Sequence, residues 1–123
     1  MDPRHTNRLH TVQNLFAISF TADESKKIPP HKKNTLFLDV RVHETAINKL
    51  ISKYAPKFPL DRIARIDLSI LQLALYELTV LKKDPMKVII NEAVELAKEL
   101  GNDRSFAFVN AVLGSVVEDI KSK

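Results

Sequence analysis

The chain has no cysteine, so it can form no disulfide and offers no thiolate as nucleophile or metal ligand. With only two glycines in 123 residues it cannot build a Gly-rich phosphate loop. No stretch approaches the roughly 18 consecutive apolar residues that cross a membrane. The polar opening MDPRHTNRLH does not read as a signal peptide. No alternating strand pattern occurs. These absences fit a cytoplasmic, all-helical protein, and the length favours a single domain over residues 1–123.

Catalytic signals are also missing. His5, His10, His31 and His43 include no pair at the i,i+4 spacing of a helical metal site. No serine lies in a nucleophile elbow. Neither a metal, a cofactor nor an enzymatic activity is expected. Glu92 and Glu95 could share a helix edge, but such acids are usually surface charges.

What the chain has is charge in one place and apolar periodicity nearly everywhere. Residues 1–34 hold six Lys/Arg against three Asp/Glu, and residues 35–123 hold thirteen against twelve, so three of the four net positive charges lie near the N-terminus. Such an excess points mildly to nucleic acid, a solvated tail being the competing reading.

Residues 4–20 read as a helix with Leu9, Val12, Phe16 and Phe20 on one stripe and Leu15 and Ile18 on another, which suggests burial on two sides. Residues 21–34, with Pro29-Pro30 and many charges, read as a flexible loop. Residues 35–54 form a helix facing inward through Leu36, Val40, His43, Ile47, Leu50 and Tyr54, ended by Ala55-Pro56. A helical turn follows Pro59. Residues 66–82 are apolar almost all round, the mark of a helix through the core; Glu77 in that helix needs a partner, most simply a structural ion pair. Asp84-Pro85 is an N-cap and N1 pair for a helix over 85–100, with Gly101 at its C-terminal cap. Asn102 or Asp103 caps the last helix, whose stripe is Phe106, Val109, Leu113, Val116, Val117 and Ile120. Phe108 is rotated by about 200° from Phe106 and lies off that stripe. Near Arg104 it could stack an unpaired base, unless another helix covers that face.

The runs IDLSILQLALYEL, then PMKVIINEAVELAK from Pro85 to Lys98, then Phe108-Val109-Asn110, resemble the NusB transcription antitermination factors across residues 56–120. Residues 1–55 match more loosely, through Arg8-x-x-x-Val12-Gln13-x-Leu15-Phe16. The resemblance implies an all-α fold of two small bundles, 1–55 and 56–123. It also implies a non-enzymatic protein that binds boxA-type single-stranded RNA together with NusE, a ribosomal small-subunit protein. That complex joins RNA polymerase and supports transcription of ribosomal RNA operons. An RNA-binding appendage like those of rRNA cytosine methyltransferases, or a helical adaptor without RNA binding, would carry the same pattern.

By this resemblance the RNA-contacting N-terminal patch maps onto Arg4, His5, Thr6 and Arg8, with Gln13 beside it and Lys32 and Lys33 as substitute charge. The RNA-facing aromatic maps onto Phe108, and the position four before it, often acidic in the family, is Arg104. NusE-facing positions map onto Phe16, Asp61 and Asp67. Ala111 and Gly114 replace a usual glycine and acid, which reads as altered packing. The segment between the first helix and Tyr54 is shorter than usual, which implies a monomer or weak homodimer.

Overall fold

The structure, a computed structural model, describes residues 2–122. Helix α1 spans Pro3–Ile18; Asp2 caps it by accepting from the Arg4 N–H at 2.9 Å, and Pro3 sits where its missing N–H costs nothing. The segment 21–34 holds one turn, Glu24–Lys26. Its far end is fastened to α1: the Asn14 side chain accepts from His31 N and donates to His31 O, at 2.8 and 3.0 Å. Asn34 then caps α2, Thr35–Val42, accepting from Phe37 N.

The helix expected over 35–54 is two helices. It breaks at His43 (φ −101°, ψ 10°), and α3 runs Glu44–Tyr54. The apolar period passes through position 43 unchanged, so the break is invisible in the pattern. The imidazole accounts for it physically: at the helix end His43 stays half-exposed and its Nδ1 meets the Asp39 carbonyl at 3.0 Å, instead of being buried without a partner.

Helix α4, Arg65–Tyr76, is buried on nearly every side and packs against α1, α3, α5 and α6. It ends in a wide π turn, Glu77–Leu81, closed by Lys82 N donating to the Glu77 carbonyl at 2.8 Å, with Lys82 at φ 52°. Helix α5 is Met86–Leu100 and α6 is Ser105–Lys121. Gly101 has extended, not left-handed, backbone; it is needed because a Cβ would collide with the Ser105 side chain and lie 2.7 Å from the Ala97 carbonyl. Val12, Ile47, Ile51, Leu71, Leu75, Leu96 and Leu113 anchor one connected core, with α4 common to both groupings of helices.

Several expected placements differ, Ile120 of the last helix's stripe among them, which is exposed. Asp84 is not a cap: Pro85 precedes α5, and the Asp84 carboxylate turns to Arg8. Phe106, expected in the core, is 41% exposed and lies under the Lys98 ammonium, while Val112 takes the buried position. Phe20, expected on α1's stripe, is exposed.

Candidate nucleic-acid interface

Arg8, expected at the RNA contact, is only 5% exposed. Its Nε and Nη2 both donate to the Glu77 carboxylate, at 2.9 and 2.8 Å, and Nη2 also meets Asp84 at 2.6 Å. Three of its five N–H donors are committed to two carboxylates, and the remaining nitrogen, Nη1, lies 4.0 Å from the Glu92 carboxylate. The same pairing supplies the partner that Glu77 requires.

His5 is likewise engaged: Nδ1 lies 2.8 Å from Glu92 and Nε2 3.2 Å from Glu99. Hydrogen bonding to Glu92 and then Glu99 raises its pKa above 6.5 against a smaller opposing effect of burial. Glu92 also approaches Arg8 at 4.0 Å, whereas Glu95 pairs with Lys98, so the two acids of NEAVE serve different partners. Four carboxylates, Glu77, Asp84, Glu92 and Glu99, thus face one guanidinium, Arg8, and one imidazole, His5. The start of α1 is a cross-linked acidic cluster, with Arg4 and Lys83 as the exposed cations of the small cleft beside it.

Gln13 is half-buried and accepts from His31 Nε2 at 2.6 Å, while the His31 ring stacks on His10 with centroids 3.8 Å apart. Burial, and then the nearby His10, lowers the His31 pKa. This cluster holds the loop to α1. Asp67, expected at a protein contact, is only 7% exposed, because the first turn of α4 packs inward there. Desolvation raises its pKa, opposed by hydrogen bonding to Ser105, and its Oδ1 has no hydrogen-bond partner. Asp61 is exposed in the turn Leu60–Arg62. Phe16 is half-buried and meets Phe20 edge-on at 4.9 Å; the Arg65 guanidinium covers the Phe20 ring at 4.7 Å. Phe16 and Phe20 therefore form an aromatic patch at the C-terminal end of α1.

Phe108, expected off the core stripe of α6, is half-buried and packs partly against the core, one turn after the exposed Arg104. Neither expected alternative holds completely. The ring is left half-exposed, with the segment 55–58 at its side and Phe58 edge-on at 5.2 Å. An apolar groove of about 220 Å³ opens between them. It shares no lining residue with the cleft at Arg4, so the two mapped RNA segments are not brought into one cavity. Phe58 was missed in the sequence because it belongs to no periodic stripe. Its one signal was a large apolar residue between Pro56 and Pro59.

The NusB family profile matches residues 5–118. The chain belongs to the NusB family. The transcription antitermination protein NusB of Bacillus subtilis (strain 168) is 37% identical over 129 aligned positions, covering 96% of this chain and 97% of that protein. The solved structure of T. maritima NusB superposes with a TM-score of 0.79 at 30% identity, over 95% of this chain and 92% of that one. A crystal structure of NusB and NusE in complex with double-stranded RNA shares the fold, with a TM-score of 0.78 at 21% identity over 94% and 96% of the two chains. Membership in the NusB family accords with the all-helical architecture, and no helix among the described residues is long and apolar enough to cross a membrane.

Proposed function

We propose that this chain is a cytoplasmic transcription antitermination factor that binds boxA-type single-stranded RNA together with NusE and acts by binding, without catalysis. The observation that carries the reading is the Phe108 face. A half-exposed ring with Arg104 one turn before it combines a stacking surface with a cation for phosphate, the pairing that recognises unstacked bases. The family membership supports the same reading, since relatives are transcription antitermination proteins.

NusE docks on the Phe16–Phe20 patch with Asp61 as a polar contact, and Asp67 acts only through the packing of α4. The N-terminal contribution to RNA binding comes from Arg4 with Lys32, Lys33 and Lys83, all exposed, in place of Arg8. RNA polymerase is reached indirectly, through NusE. The test is a titration of boxA-type RNA with and without NusE at one fixed salt concentration. NusE is expected to raise the affinity; equal affinity in both arms contradicts the proposal.

A further inference from the structure

The groove beside Phe108 has a second aromatic wall. Phe58 is 46% exposed, an unusual position for a ring this large when the core lies one residue layer away. It is held firmly: prolines flank its segment at 56 and 59, and the Phe58 N–H donates to the Ala55 carbonyl at 3.0 Å. The Phe58 and Phe108 rings stand at 78° to each other. Lys57, next to Phe58, is exposed and makes no ion pair among the described residues, whereas Lys53 is 3.4 Å from Asp119.

We infer that Phe58 is a second stacking platform that holds the unpaired base adjacent to the one on Phe108, with Lys57 on the phosphate between them. This rests on the RNA reading above and adds a subsite to it. The angle between the rings decides the ligand's form. Neighbouring bases in a duplex lie parallel, so two nearly perpendicular platforms are both filled only by a strand whose bases are splayed apart. The groove also sets where the strand leaves. Beyond Tyr54 it widens into a trough of about 750 Å³ whose far end carries Glu118 and Asp119, the latter accepting from the Tyr54 hydroxyl. With Lys53 beside Asp119, that end holds two acids against one cation and favours phosphate less than the Lys57 end does.

The test uses single-stranded boxA-type RNA with 2-aminopurine at successive positions, bound in the presence of NusE to wild type, Phe58→Leu and Phe108→Leu. Leucine keeps the groove apolar, and Phe58 is too exposed for the change to unfold the chain. Two adjacent positions are expected to respond to wild type, with Phe58→Leu losing one response and Phe108→Leu the other. Each variant should bind at least about fivefold more weakly, the lower end for one stacked base. Lys57→Gln should reduce the salt slope of binding by about 0.7, the share of one phosphate on a single strand. If Phe108→Leu weakens binding and Phe58→Leu does not, the second platform is wrong and the RNA reading stands. If Phe58→Leu abolishes both responses, Phe58 merely supports Phe108 and the inference fails. If wild type binds no RNA, the RNA reading fails and this inference with it.

Discussion

Arg8 joins segments 69 and 76 residues away, Glu77 and Asp84, through one buried guanidinium. Replacing it with methionine leaves two carboxylates without their counter-charge in a nearly closed site. Arg8→Met should lower the unfolding free energy by about 3–5 kcal/mol, measured by urea denaturation. Folded Arg8→Met should bind RNA as wild type does, and loss of RNA affinity with unchanged stability would return Arg8 to the interface. The histidines give a pH signature of opposite signs. The His5 pKa is raised in the fold, so its stabilisation is complete below pH 6.5 and is lost as pH rises through the folded value. The His31 pKa is lowered, so its contribution is present above 6.5 and is lost as pH falls through the folded value. Between about pH 5 and 8, the stability gap between wild type and His5→Gln should close towards alkaline pH, and that for His31→Gln should close towards acid. Gaps that do not change with pH would show that neither ring titrates as its contacts require.

Among the elements, the helices themselves were legible, because a 3.6-residue period marks each buried face. The interruptions were not. The period of α2 continues into α3 across His43, and that of α4 continues through the π turn, so neither break has a signature in apolar spacing. The caps were hard to read: Asn34, which serves its own helix, passed as the end of a loop, and Asp84, which reads as a cap, serves the distant Arg8. The π turn carries its own cost in Lys82, a non-glycine residue with φ 52°. Relief of about 1–2 kcal/mol of left-handed strain, less about 0.5–1 kcal/mol for glycine's greater freedom when unfolded, favours Lys82→Gly. A gain between zero and about 1.5 kcal/mol in thermal or urea unfolding is expected, and destabilisation would mean that the lysine side chain stabilises the turn.

At the scale of the molecule, the sequence pattern identified the family. It put Phe106 in the core and Phe108 off it, whereas Phe108 packs partly against the core and Phe106 is exposed. Nor could it distribute the charges. Arg4, His5 and Arg8 look alike as a basic N-terminal run. Only folding separates an exposed Arg4 from a His5 clamped by two glutamates and an Arg8 enclosed by acids. Asp67 and Asp61 show the same limit, since one is buried and the other exposed although both precede or open α4. The resulting surface has an aromatic patch at Phe16–Phe20 and an aromatic groove at Phe58–Phe108, with the acidic cluster as a brace between α1 and α5. The central claim is that the groove reads unpaired RNA while NusE is bound. Its most direct test is the affinity of NusE-saturated protein for boxA-type single-stranded RNA, wild type against Phe108→Ala, at one fixed salt concentration. A loss of about 1–3 kcal/mol, the worth of one stacked base, is the predicted result, and identical affinities would contradict the account.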